Sequence, residues 1–319
     1  MNKSIQSRTL TALCAIAALL CLATMTLFRR RGKEPESLPP IMMSSPSRTI
    51  VKSITGNGVP ESLSVAGEAT GAVAIVCGDG ANAGRYEARN DALRSIMRSR
   101  SLTKDDATAL MDYLASTNDQ LRAERVAALK NDVMNLLRRQ ETPVAGLAES
   151  LVGMFDCGAH PPAVLDYCVQ HLGAMQGGIG DGALRARVRA VLVKAARRKN
   201  MPYAGTALYS LAADRHATPQ QLEELKRLTL ALCEPDANPA ARVAAIQLAG
   251  ERGYAEALPI LRKALSSPRR DAVIDIVAIG LIGDSSDISR LSHFIKHDSR
   301  RALAAEAAIR RINERSNTK

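Results

Sequence analysis

The chain has 319 residues, a formal net charge of +11, 46% apolar residues, only 3% aromatic residues and no Trp. This is enough apolar material for one elongated domain or two compact ones. A core so poor in rings must come from Ala, Leu, Val and Ile, which suits close-packed helices and argues against a β-sandwich, since sandwiches lean on aromatic and β-branched residues. The charge admits an acidic partner or an anionic membrane surface without choosing between them.

Residues 1–9 are a short tail carrying Lys3 and Arg8. From Leu10 to Phe28 the chain has 19 residues without a charge, which as a helix would span about 28 Å, close to a bilayer's hydrocarbon thickness. Arg29, Arg30, Arg31 and Lys33 follow at once. This pattern predicts a single transmembrane anchor. A cleaved signal peptide, with secretion, is the alternative; it requires a shorter apolar stretch and small residues before the cut, and no well-placed A-x-A site or convincing lipobox stands there. The larger positive charge after the segment favours a cytoplasmic body over an exported one, although Glu34 and Glu36 offset part of it. Residues 29–71 are rich in Pro, Ser, Gly and Met, with Pro39 and Pro40 adjacent, and are expected to be a flexible, disordered linker.

Residues 72–85 read as a short extended segment, Ala72–Val76, followed by a glycine turn. Gly78, Gly80 and Ala83 fit the dinucleotide pattern G-x-G-x-x-A, but that pattern needs a second strand about 20 residues on, ending in an acidic residue. The stretch that follows, RSIMRSRSLTKDDATALMDYL, carries helix signals instead, so no nucleotide or other cofactor is assigned. Cys14 and Cys21 lie in the N-terminal apolar run; Cys77, Cys157, Cys168 and Cys233 are far apart without C-x-x-C spacing and read as buried thiols.

From Tyr86 helix follows helix. Tyr86–Arg98 is the first. Thr103 opens the next as an N-cap with Asp106 three residues on. Ser101–Lys104 matches S-x-x-K, but S-D-N and K-T-G are missing, and capping accounts for it. Asp119–Gln140 carries Leu121, Val126, Leu129, Val133, Leu136 and Leu137 as a helical stripe. Pro143 is suited to the first turn of a helix running to Asp156. AVLDYCVQHLGAMQ is another helix, and GGIGDG is a loop without the Lys of a phosphate-binding loop.

Ala183–Asn200 is the most charged helix. Arg185, Arg187, Arg189, Lys194, Arg197, Arg198 and Lys199 are its cations, and no acidic residue occurs between Asp181 and Asp214. A solvated face with favourable last-turn cations is one reading; a strip that binds an acidic protein, phosphates or lipid headgroups is the other. These seven residues are the candidate partner-binding site.

Asn238–Glu314 partly matches itself when shifted by thirty residues. Val243, Val273 and Leu303 share one column, Leu248, Ala278 and Ala308 a second, and Gly250 and Gly280 a third. Gly253 and Gly283 read as helix stops. Upstream, Ser210–Arg215 resembles Gln247–Arg252, a degenerate earlier repeat paired with a helix over Thr218–Glu234. A fixed period of this length with small and aliphatic residues on one face marks a stacked helical repeat. The pattern AARVAAIQLAGERG…ALPIL resembles the HEAT-like repeat family. That resemblance implies an all-α fold, an α-solenoid of antiparallel helix pairs over 86–319, with an extended surface suited to binding other chains.

His293 and His297 are spaced to share a helix face, but a third ligand and a general base are missing, so no metal is assigned. No catalytic constellation is present. The reading is a non-catalytic, membrane-tethered scaffold or adaptor for a protein partner. A nucleic-acid-binding repeat protein is one alternative, which the charge favours and the shortage of aromatic residues disfavours. A lyase or chaperone-like HEAT-repeat protein is another, without a residue that specifically supports it.

Overall fold

The structure, a computed structural model, describes residues 71–98, 102–142, 144–266 and 272–317. The proposed tail and membrane segment, and the linker but for Gly71, lie outside these residues, as do Ser101 and Pro143. Among the described residues every regular element is helical, and no helix is long and apolar enough to cross a membrane.

Fourteen helices occur in this part of the chain. They are α1 (71–77), α2 (Tyr86–Arg98), α3 (Lys104–Ala115), α4 (Ala123–Arg138), α5 (Leu147–Cys157), α6 (Pro162–Met175), α7 (Gly182–Ala196), α8 (Tyr203–Ala212), α9 (Pro219–Cys233), α10 (Pro239–Arg252), α11 (Leu258–Leu265), α12 (Ala272–Ile282), α13 (Ile288–His297) and α14 (Ser299–Asn317). Each helix from α3 onward packs on its neighbour in a pair, α3 on α4, α5 on α6, and so on to α13 on α14. Helices two apart also pack: α2, α4, α6, α8, α10, α12 and α14 form one continuous row, and α3, α5 and α7 begin the other. This serial, two-row order is that of a helical solenoid.

The small residues of the repeat explain why the even row is tight. A Cβ placed on Gly205 of α8 would lie 2.8 Å from the Cβ of Ala244 and 3.1 Å from the Cα of Ala241, both on α10. On Gly250 of α10 it would meet Ala278 and Leu281 of α12, and on Gly280 of α12 it would stand 2.7 Å from the Cα of Ala308 on α14. Glycine in mid-helix costs up to about 1 kcal/mol relative to alanine; here that cost is offset by backbones close enough to bury the aliphatic columns between them. Leu248 and Ala278, one column of the repeat, are 2% and 1% exposed.

Polar groups pin the same joints. Arg242 of α10 donates to an Asp275 carboxylate oxygen on α12 at 2.7 Å and to the Cys233 carbonyl at 3.0 Å. Arg315 of α14 donates to the carbonyls of Gly280 and Gly283, closing the end of α12.

Two expectations need correction. Residues 71–77 are helical, not extended. A lone short strand has no partner to pair with in an all-helical neighbourhood, whereas a helix places Val73 and Val76, one turn apart, in the core at 3% and 0% exposure. The helix expected from Asp119 starts at Ala123, because Asp119 is held outside it by the buried Arg89. Gly253 and Gly283 both stand where a helix ends, as expected; Gly253 does so in the left-handed conformation, with φ of 70°, whereas Gly283 is small because the Asp287 carboxylate and the Ile279 carbonyl crowd it.

Candidate functional site

The cationic helix α7 begins where the Asp181 side chain accepts from the Ala183 backbone N–H at 2.8 Å. Its facing wall, α9, begins with a capping box: Gln221 N–H donates to Thr218 Oγ1, and Thr218 N–H donates to the Gln221 side chain. Where the odd row passes from α7 to α9 a groove of about 590 Å³ opens. Ala186, Ala190 and Val193 form its apolar surface, while Arg189, Lys194, Arg197 and Arg198 supply cations, with Gln221 and Glu224 opposite. Four cations and one carboxylate line the groove, and Asp156 and Asp214 just outside it pair with Lys194 and Arg189.

Arg189 is 8% exposed, too buried to act as a surface cation. Its Nη2 donates to the Gln221 carbonyl at 3.2 Å. The same guanidinium is 3.6 Å from the Asp214 carboxylate and 3.9 Å from Glu224, and Nη1 makes no hydrogen bond. Both carboxylates are thus near enough for attraction and too far for a hydrogen bond. Asp214 is meanwhile engaged by the Gln176 amide at 2.8 Å and the His216 backbone N–H. Arg197, with a side chain 66% exposed, donates to Glu224 at 3.1 Å.

The remaining members of the strip divide into inward braces and outward-lying cations. Arg185 folds back onto the Ile179 carbonyl. Arg198 donates to the Tyr203 hydroxyl at 2.9 Å and stacks over the Phe155 ring. Lys194 reaches Asp156 on α5 at 2.7 Å and Lys199 lies 3.8 Å from Asp236; both are exposed ion pairs of little stabilising value. Arg187 is exposed. The strip is therefore partly a set of braces, and its accessible cations are Arg187, Lys194, Arg197 and Lys199. Glu224, Gln221 and Asp214 were not legible as members of the site, since they lie in other helices and loops, and only their side of the α8–α9 pairing brings them to α7.

A second surface lies on the even row. Val243, Val273 and Leu303, one column of the thirty-residue repeat, are 41%, 40% and 78% exposed. They stand at the same register of α10, α12 and α14. On α12, Ile274, Val277 and Leu281 beside them are half-buried. A helix apolar on every side normally has every side covered, and among the described residues α12 has one side open.

Several other polar groups are engaged within the fold. Arg89 clamps Asp119 through two parallel hydrogen bonds of 2.9 and 3.0 Å and also donates to the Val76 carbonyl. Burial alone would raise the Asp119 carboxyl, but the hydrogen bonds from Arg89 and from the Leu121 backbone hold it below its ordinary range. Gly78 leaves room for that guanidinium, 3.2 Å from where a Cβ would sit. The glycine turn therefore serves packing. Lys130, pulled down to about 8 by burial, caps the end of α3 by donating to the Leu114 and Ser116 carbonyls. His293 and His297 have ring centroids 4.5 Å apart, and among the described residues no His, Cys, Asp or Glu makes a third member of a metal-ligand group with them. Cys77, Cys157, Cys168 and Cys233 are free thiols; Cys157 is exposed, against the expectation of burial, because it sits in the last turn of α5 facing outward.

A sequence profile described as HEAT repeats matches residues 225–310, from within α9 into α14. No curated protein and no solved structure matches the chain. HEAT repeats are in general modules of protein interaction and scaffolding.

Proposed function

We infer that the chain is a non-catalytic scaffold or adaptor, tethered to a membrane by Leu10–Phe28, that binds a protein partner along its helical stack. The observation that carries the reading is the exposed apolar column Val243, Val273 and Leu303 on three successive repeats. Exposed apolar side chains scattered singly need no explanation; a row in matched register over a half-open apolar helix is the composition of an interaction face. The accessible cations of α7 supply a second contact and favour an acidic segment of the partner.

The test is co-purification of the full chain from its own membranes, comparing wild type with Val243→Asp/Val273→Asp/Leu303→Asp. Loss of a stoichiometric partner while the melting temperature is kept supports the reading; an unchanged set of bound chains contradicts it. Retention of the protein in the membrane pellet after alkaline washing, and its release when residues 10–28 are deleted, tests the tether. Duplex DNA binding at about 0.15 M salt tests the nucleic-acid alternative, and its absence removes that alternative.

A further inference from the structure

We propose that the groove between α7 and α9 is a carboxylate-binding pocket in which Glu224 is an internal stand-in for the side chain of an acidic partner segment. This rests on the reading that the α7 strip meets an acidic protein.

Three observations on the groove lead there. Its four cations meet three carboxylates, Glu224 in the wall with Asp156 and Asp214 just outside it, which leaves one positive charge in excess. Its innermost cation, Arg189, is more than nine-tenths buried, and one terminal nitrogen has no hydrogen bond. A buried donor left without a partner is destabilising, more so when charged. The carboxylate nearest the mouth, Glu224, is divided between two guanidiniums: it accepts from Arg197 at 3.1 Å and remains 3.9 Å from Arg189. Glu224 thus serves Arg197 well and Arg189 poorly, and Asp214, 3.6 Å from Arg189, does not hydrogen-bond it either.

The surroundings specify the ligand further. Ala186, Ala190 and Val193 give the groove an apolar side, which fits a polypeptide segment with aliphatic residues beside its carboxylates better than a free inorganic anion. An incoming carboxylate takes the bond from Arg197, and Glu224 turns fully toward Arg189 or outward to water. Both guanidiniums then hold a carboxylate each. Bidentate and charge-assisted bonds of this kind are about twice as strong as neutral ones. Glu224 keeps the pocket ordered when it is empty and lowers its affinity for weakly acidic chains, so it tunes selectivity by competition.

The experiment measures binding of a fluorescein-labelled oligoglutamate peptide to the full chain in detergent micelles, by fluorescence anisotropy at about 0.15 M salt. Glu224→Gln removes the internal competitor and should tighten binding about fivefold, whereas Arg197→Gln should weaken it by a similar factor. Glu224→Ala, which leaves no amide to replace the carboxylate, should shift affinity in the same direction as Glu224→Gln and guards against a special effect of either variant. Binding by wild type that is equal or weaker in both Glu224 variants overturns the stand-in role and leaves the scaffold reading intact. No binding by wild type or by either Glu224 variant overturns the acidic-partner reading as well. Binding of a phosphoserine-containing peptide without binding of the glutamate peptide overturns the carboxylate assignment.

Discussion

Replacing Gly280 with alanine sets two known effects against each other. In an open mid-helix site the exchange stabilises the folded state by up to about 1 kcal/mol, because glycine has the greater backbone freedom to lose. At position 280 the added carbon would lie 2.7 Å from both Cα and Cβ of Ala308, far inside the about 3.5–4.0 Å at which two carbons are comfortable. Because the Cα belongs to the backbone of α14, no rotamer change relieves it, and the helix must move by about 1 Å. Overpacking of this kind costs about 1–3 kcal/mol. The clash should win, leaving a net loss of about 1–2 kcal/mol, or a fall in melting temperature of about 3–6 °C for a domain of this size. Gly153, exposed in the middle of α5 with nothing within 4 Å of a would-be Cβ, is the matched control, and Gly153→Ala should raise the melting temperature by about 2–4 °C. Thermal unfolding followed by circular dichroism reads both. A Gly280→Ala protein as stabilised as Gly153→Ala would refute the close approach of α12 and α14. Ala308→Gly should restore only part of the loss, since the contact with the Cα of residue 308 persists.

Three further outcomes follow from buried polar groups and caps. Asp275→Asn should destabilise by about 3 kcal/mol or more in urea unfolding, because Arg242 is then a buried cation without its ion-pair partner. Thr218→Ala removes the cap of α9 and should cost about 1 kcal/mol, with the loss concentrated in hydrogen exchange of the first turn of α9. His171 is 4% exposed; its Nε2 pairs with the Asn131 side chain, and Nδ1 has no partner. Burial, aided by Arg138 and Arg139, pushes its imidazole down to about 4. With the unfolded value near 6.5, its contribution to stability is complete above about pH 6.5 and is lost as pH falls through 4. His171→Gln should flatten that part of the stability curve relative to wild type by about 2–3 kcal/mol between pH 6.5 and 4. Parallel curves for the two proteins would refute it; His160, lowered by burial as well, remains in both and cancels.

The repeat itself was legible because packing imposes a period. Each even helix must present small residues to the next at one register and aliphatic residues to the core at another, so Gly250 and Gly280, and Leu248 and Ala278, fall into columns. The column Val243, Val273 and Leu303 was equally legible as a repeat, but not as an exposed one: composition is the same for an apolar residue facing the core and one facing a partner. The N-cap at Thr103 appears as read, with its side chain accepting from the Asp106 backbone N–H. What eluded the sequence were pairings across long stretches of chain. Arg189 looked like a surface cation because its partners Asp214 and Glu224 lie 25 and 35 positions away, and nothing in the spacing announces that the α8–α9 turn brings them together. Ala72–Val76 misled for a different reason: a short β-branched run is compatible with a strand or a buried helix, and periodicity does not separate the two.

The most direct measurement of the scaffold reading is site-specific photocrosslinking in native membranes, with the crosslinking residue placed at Val273 on the apolar column, at Arg197 in the groove, and at Asp91 on α2 as a control with a side chain 74% exposed. The predicted result is a discrete protein adduct from Val273 and from Arg197, identifying one partner chain, with none from Asp91. Adducts equally abundant at all three positions, or adducts to lipid or nucleic acid alone, would contradict it.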